Sequence, residues 1–349
     1  MPETRHRVIL LGAGASRGAD FGFRPICEPP LNRDFFTQLQ RITEKHTRLV
    51  RRVIADVVEL FGANFSLTLE DYFTQLEFLI ATAEGMQAGS GANLSGQLRA
   101  KRDRLMAALS AVLEASTVTR AIAGRGARGC QYHRALASRL QPGDHVLSFN
   151  YDCVMDDALR RDGAGRWSAF TGYDFPARYT LEPGGASAWS PTASPRLSRD
   201  KTVKLLKMHG SVHWQLPKDT STVVTLKQRL HQQRGTPRFD IIPPQWNKSL
   251  AGPVFRRIWR SAFRAIERTD RIAIIGFSFT PTDLHVESLF RLALNRAPLR
   301  TLVIANPSSH DRERVRRVFA SALARTNAVV REYDGLAEFV RNWPDALDA

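Results

Sequence analysis

Six short apolar runs constrain this chain more than any other feature: Val8–Leu11, His145–Phe149, Val203–Leu206, Ile272–Ile275, Leu302–Ala305 and Ala328–Arg331. Most are continuous rather than alternating, and most precede residues with helical periodicity. A strand buried on both faces has no polar side to show, so such runs predict parallel strands with helices above and below. The expected fold class is α/β: one doubly wound, mostly parallel, Rossmann-like sheet.

Between the first and second runs the pattern changes to helical stripes. Leu39, Val53, Val57 and Leu60, then Leu69, Tyr72, Phe73 and Leu76, then Leu105, Leu109 and Leu113 recur at helical spacing. Residues 31–140 are therefore expected to form a helical insertion within a single domain, 1–349. Gly85 to Gly96, rich in Gly, Ser and Asn, reads as a loop in that insertion. The Pro- and Ser-rich segment 181–200 reads as a flexible surface excursion.

Composition removes several classes. No apolar run approaches the roughly 20 residues of a membrane helix, and Met1 to His6 is too short and polar for a signal peptide, so the expected location is the cytoplasm, without a membrane partner. Three cysteines, Cys27, Cys130 and Cys153, include no Cys-x-x-Cys pair and cannot build a structural zinc site. Cys153 reads as a small packing residue, with a nucleophile as the alternative. The formal charge is +16, and it is uneven. Arg256, Arg257, Arg260 and Arg264 fall opposite an apolar stripe of Val254, Phe255, Ile258, Trp259, Ala262, Phe263 and Ile266. That basic face suits solvent, nucleic acid or an acidic partner.

The polar residues worth attention stand just past the apolar runs, at the strand ends where open α/β sheets bind ligands. After the first run come Gly12, Ala13, Gly14, Ala15 and Ser16. Gly-x-Gly between a strand and a helix start lets backbone approach a pyrophosphate, and a valine at Gly14 is expected to block that approach while costing less in stability. The third glycine of a dinucleotide fingerprint is replaced by Arg17, and Phe35 to Leu60 reads as helix where an acidic strand end belongs, which disfavours an ordinary dehydrogenase. Without Gly-Lys-Ser/Thr there is no P-loop.

Asn150 and Asp152 follow the second run, where they could orient a ribose and a carboxamide or merely cap a helix. His209 follows the third run and precedes Gly210, so it could act as a base or be a hydrogen-bonded structural residue. His213, four residues on, lacks a third ligand at metal spacing, and no metal is expected. Gly276 and Ser278 end the fourth run ahead of a helix start at Thr280-Pro281-Thr282-Asp283, and Asn306 ends the fifth. Each could bind phosphate or ribose, or be ordinary turn chemistry.

Taken together, Gly12 to Ser16, Asn150 and Asp152, His209-Gly210, Gly276 to Ser278 and Asn306 resemble the sirtuin superfamily in order and spacing. The resemblance implies that the glycine turn holds the pyrophosphate of NAD, that Asn150 and Asp152 handle the nicotinamide ribose and carboxamide, and that His209 is the general base. It implies adenosine contacts for Gly276, Ser278 and Asn306. The chain departs from the deacylases in lacking their zinc module and in carrying Arg17-Gly18-Ala19-Asp20-Phe21-Gly22 where their nicotinamide loop belongs. Pro29-Pro30-Leu31, Leu69-Glu70-Asp71-Tyr72-Phe73 and Thr280 to Asp283 look instead like bacterial sirtuin-like domains of anti-phage defence, which hydrolyse NAD.

What that resemblance implies is an NAD glycohydrolase, metal-free, with NAD as substrate and Asn150, His209 and Asp152 as the chemical residues. It also implies a separate ring-forming ATPase of the HerA helicase type; the hazard of such a reaction and the basic helix face lead further to the expectation of a homo-oligomer, with nucleic acid reached through that partner or the Arg256–Arg264 face. A zinc-free deacylase, a non-catalytic module for NAD or ADP-ribose, and a nucleic-acid binder remain as alternatives.

Overall fold

The structure, a computed structural model, describes residues 7–22, 24–86, 90–117, 129–180, 197–198, 201–217, 222–227, 240–244, 252–343 and 346–347. Six strands form one sheet: β1 (Arg7–Leu11), β2 (His145–Ser148), β4 (Lys204–Lys207), β7 (Arg271–Ile275), β8 (Thr301–Ala305) and β9 (Val329–Tyr333). Their order is β4-β2-β1-β7-β8-β9, and every neighbouring pair is parallel. All residues of β1, β7 and β8 are buried, which is why their sequences do not alternate. Each buried Ile, Leu or Val there contributes about 1.5–3 kcal/mol relative to exposure.

The chain winds outward from β1 through β2 to β4, then returns to the other side of β1 with β7. The winding direction reverses at β1 and β7, and that reversal opens a crevice beyond their carboxyl ends.

Between β1 and β2 lie the short helix α1 (Ala13–Arg17), then α2 (Phe35–Arg41), α3 (Thr43–Phe61), α4 (Leu69–Gly85), α5 (Ser90–Thr117) and α6 (Gln131–Arg139). The stripes on α2 to α5 close on themselves in a second core of Phe35, Leu39, Val53, Val57, Tyr72, Phe73, Leu76, Leu105 and Leu109. Leu136, Ala137 and Leu140, by contrast, pack in the core of the sheet. Thus within 31–140 the separate module ends before α6, which is a helix of the sheet layer.

Most of the stretch expected as a loop at Gly85 to Gly96 is helical, and its residues 87–89 lie outside the described residues. Gly85 ends α4, and Ser90 to Gly96 are the opening turns of the 28-residue α5. A long helix already nucleated by its apolar half extends at little cost per residue, and that outweighs the weak propensities of Ser, Gly and Asn. The excursion expected at 181–200 lies outside the described residues except for 197–198.

A small second sheet has no counterpart among the apolar runs: β3 (Ala177–Thr180), β6 (Val224–Lys227) and β5 (Trp214–Gln215), in that order. The remaining helices are α7 (Val154–Asp162), α8 (Pro253–Arg268), α9 (Leu284–Leu294), α10 (Ser309–Thr326) and α11 (Leu336–Arg341). No helix among the described residues is long and apolar enough to cross a membrane.

Candidate functional site

The crevice is framed by backbone on backbone. Gly12 N–H donates to Ile275 O at 2.9 Å, and Gly14 N–H to Gly276 O at 2.9 Å. A Cβ on Gly14 would stand 2.7 Å from Gly276 Cα, and one on Gly276, whose φ is +60°, would stand 2.2 Å from Ala15 N. These glycines therefore let the β1 turn and the β7 end touch, a stricter demand than room for a ligand. This corrects one expectation, the small stability cost of a valine at Gly14. The N–H groups of Gly12, Gly14 and Ala15 are spent within the turn or on β7, since Ala15 N–H donates to Gly12 O at 2.9 Å. A valine at Gly14 would also strike backbone and cost stability directly. Ala13 is exposed at the tip of the turn and Gly14 half-buried, while Ala15 and Ser16 are buried beneath them.

Asn150, 8% exposed, reaches into this turn from the end of β2. Its Nδ2 donates to Gly12 O and to Ser16 Oγ, both at 2.9 Å. Ser16 Oγ in turn donates to Asp152 Oδ2 at 2.7 Å. Because the Gly12 carbonyl can only accept, the chain of bonds fixes the amide's orientation and turns its Oδ1 the other way. The capping alternative thus fails for Asn150. Asp152 precedes the cap residue Cys153, and its Oδ1 accepts from Val154 N–H at 3.0 Å in the turn that leads into α7 while Oδ2 holds Ser16. Both carboxylate oxygens are engaged in positioning.

His209, 5% exposed, stands at the end of β4. Gly210, at φ +82°, lets the chain pass close to the 240–242 segment, where a Cβ would lie 2.7 Å from Asp240 O. Ile242 N–H then donates to His209 O at 2.8 Å, and Trp259 Nε1 donates to Met208 O at 3.0 Å. The His209 ring meets Phe149 edge-on at 5.0 Å and stacks on His285 at 5.3 Å. Its Nε2 is 3.1 Å from His285 Nε2.

His285 is the main site residue that the strand-end pattern does not single out, together with Glu70. The signal present in the sequence is Asp283-Leu284-His285, a second acid and imidazole just past a strand end. The backbone turns sharply here: buried Phe279 has φ +49° and is wedged among Phe277, Phe290 and Phe319. Such a conformation in a bulky residue costs about 1–3 kcal/mol and is sustained by packing. From the helical module, buried Glu70 accepts from Thr282 Oγ1 at 2.7 Å and from Asn32 Nδ2 at 3.3 Å. Val212 belongs to the module's core, and Tyr151, Cys153 and Ile241 pack against it, so the module walls the crevice.

Gly276 opens the turn after β7, with half-buried Ser278 two residues on. Asn306 is buried at the end of β8, where its Oδ1 accepts from Ser308 N–H at 3.0 Å and helps start α10. Gly12 to Ser16, Asn150, Asp152 and Gly276 thus meet through direct hydrogen bonds or backbone contact, while Asn306 lies one strand further along the same edge.

His213 does not join His209. It faces the interior, with Nδ1 2.9 Å from Ser211 Oγ and 3.0 Å from Cys153 Sγ, and Nε2 3.1 Å from Tyr173 Oη. Burial, helped by the Lys207 ammonium, pushes its pKa well below the usual imidazole value. Lys207 pairs with Asp156 at 3.3 Å, both nearly inaccessible. Burial also raises the Cys153 thiol far above its ordinary range, so it is a packing residue rather than a thiolate nucleophile.

No curated protein matches the chain. The family model of the SIR2-like domain matches residues 144–326, from just before β2 to the end of α10. That span takes in Asn150, Asp152, His209, Gly276, Ser278 and Asn306 but not the glycine turn at the end of β1. SIR2-like domains are commonly NAD-dependent enzymes, and an NAD-related activity goes with that match. With more than half of its 349 residues matched, the chain belongs to the SIR2-like domain family.

Proposed function

We propose that the protein is an NAD glycohydrolase, cleaving NAD to nicotinamide and ADP-ribose. The observation that carries this reading is the placement of Asn150 and His209, both more than nine-tenths buried, two residues past the paired ends of the neighbouring strands β2 and β4, with Asn150 bonded into the β1 turn. An amide with fixed orientation and a neighbouring imidazole are what the reaction needs.

In the substrate nicotinamide is joined to ribose as a cation and leaves neutral. Breaking the C1′–N bond therefore needs little acid catalysis and builds positive charge on the ribose, as in glycoside hydrolysis. The bond's electron pair goes to the nicotinamide nitrogen. Asn150 Oδ1 orients a ribose hydroxyl or the attacking water, and His209 accepts the proton that water loses as its oxygen bonds to C1′. Asp152 acts through Ser16 and Asn150, and contact with the carboxamide remains part of the proposal. Ala13, Ser16, Ser278 and Asn306 serve the phosphates and the adenosine half.

The wider proposal is NAD depletion in anti-phage defence, in the cytoplasm, by a homo-oligomer working with a HerA-type ring ATPase. A reaction that drains NAD requires restraint, so an isolated copy is expected to be nearly silent. The deciding measurement is chromatography of NAD incubated with the purified protein, alone and assembled, without any acylated peptide. Nicotinamide appearing with equimolar ADP-ribose supports the reading. Release only when an acyl-lysine peptide is supplied would favour a deacylase, and NAD bound but intact in every state would favour a binding module.

A further inference from the structure

We propose that His209, Asp283 and His285 form a site for a divalent transition-metal ion of the zinc class. One ligand atom from each lies within 4.8 Å of the others. The three come from separate elements: the end of β4, the turn before α9, and α9 itself. The two imidazole nitrogens stand 3.1 Å apart. Nitrogens bound at about 2.0–2.1 Å to one tetrahedral ion stand about 3.3–3.4 Å apart, so the ring pair needs only a small adjustment to hold one.

The surroundings are those of a metal site as well. Asp283 Oδ2 accepts from Thr280 Oγ1 at 2.8 Å, which orients the carboxylate. Phe149 lies against the His209 ring at 5.0 Å and Trp259 against the His285 ring at 5.2 Å, giving the imidazoles apolar walls. Three protein ligands leave a fourth position, the arrangement of a site that exchanges its ion or binds a further group. Cys153, Asp156 and His213 also converge within 4.8 Å, but there the Lys207 ammonium already sits 3.3 Å from Asp156. A second cation would meet that charge.

The consequence rests on the hydrolase reading above. One imidazole nitrogen cannot take a proton from water while it is bound to a metal, so the ion holds the enzyme silent and its removal releases the base. The metal is then an inhibitor, occupying the same residues as the reaction.

The test separates the two readings because binding is measured without NAD. Zinc is titrated into the metal-stripped full chain against a chromophoric chelator, and cobalt(II) is added in parallel. One equivalent should bind, and cobalt should give the intense visible bands of a four-coordinate site. Asp283→Asn and His285→Gln should each weaken zinc binding at least about tenfold, with far-ultraviolet circular dichroism unchanged, whereas His213→Gln should not. Zinc affinity equal in wild type and both variants, or a cobalt spectrum no different from the hydrated ion, overturns the site; the spectrum needs no variant to fold. With binding established, nicotinamide release should fall in proportion to zinc bound. Release that rises with zinc overturns the inhibitory role, and zinc binding to a chain that never cleaves NAD sinks the hydrolase reading while the site stands.

Discussion

The two edges of the main sheet are built on opposite principles. Beyond the carboxyl ends, the crevice groups are few, buried or half-buried and tied to one another: Asn150 to Ser16 and Gly12, Ser16 to Asp152, His209 to His285. At the amino ends lies a cavity of about 570 Å³, lined by Arg7, His145, Lys204, Arg257, Arg260, Arg264 and Arg268, with Asp174 among them. The amino-end cavity is lined mainly by cations. Charge attracts a partner, whereas bond cleavage needs groups held in one orientation, and of these two edges the carboxyl one has them.

If chemistry belongs to one edge and docking to the other, damage to each should be separable. The largest effect is expected at the crevice. Asn150→Ala and His209→Ala should each lower nicotinamide release from the active assembly by about 10²-fold or more, with assembly mass by light scattering unchanged. Wild-type turnover in a folded His209→Ala protein would make that histidine structural and erase the contrast between the edges.

The second effect is on stability, where the edges should also differ. Gly14→Ala and Gly276→Ala place a methyl against backbone, and each should cost about 1–3 kcal/mol in denaturant unfolding. At Gly276, a positive φ adds to the clash. Unfolding midpoints equal to wild type would mean that the β1–β7 contact is looser than the geometry requires.

The smallest effect on the chemical step is expected from the amino edge. Arg256, Arg260 and Arg264 are exposed, but Arg257 is half-buried and donates to the Asp174 carbonyl, so reversing all four would disturb more than a surface. The cleaner variant changes Arg256, Arg260 and Arg264 to Glu. It should leave the fold intact while abolishing assembly or its activation. It should also flatten the salt dependence of any DNA binding, by roughly 0.9 in the log–log slope for each phosphate that is no longer neutralised. An unchanged assembly with unchanged turnover would reduce this face to a solvated one.

Much of the architecture was legible because burial on both faces leaves an unmistakable trace in the sequence. All six runs became the strands of the main sheet, within a few residues of their expected ends. The second sheet left no such trace: β5 is two residues long, and β3 and β6 stand in irregular sequence. Asn150 and His209 could be singled out because they follow strands directly. Their partners could not, because the His209–His285 contact spans 76 residues and depends on the turn at Phe279. Nor did Gly14 reveal in sequence which neighbour required it, since a glycine facing a ligand and one facing backbone are written the same way.

The position of β1 has a consequence for how the chain folds. Of the six strands it is the earliest in sequence order, yet it lies inside the sheet, between β2 and β7, and its pairing with β7 joins Arg7 to Arg271. Until most of the polypeptide exists, the sequence RVILL has only half of its native neighbours. The contacts among α2, α3, α4 and α5 are local by comparison, so their core can collapse early while the sheet waits for a closure of high contact order. Consolidation of the crevice, which needs the β1 turn against the β7 end, is therefore among the last events of folding. A nascent or truncated chain cannot assemble the site before that closure.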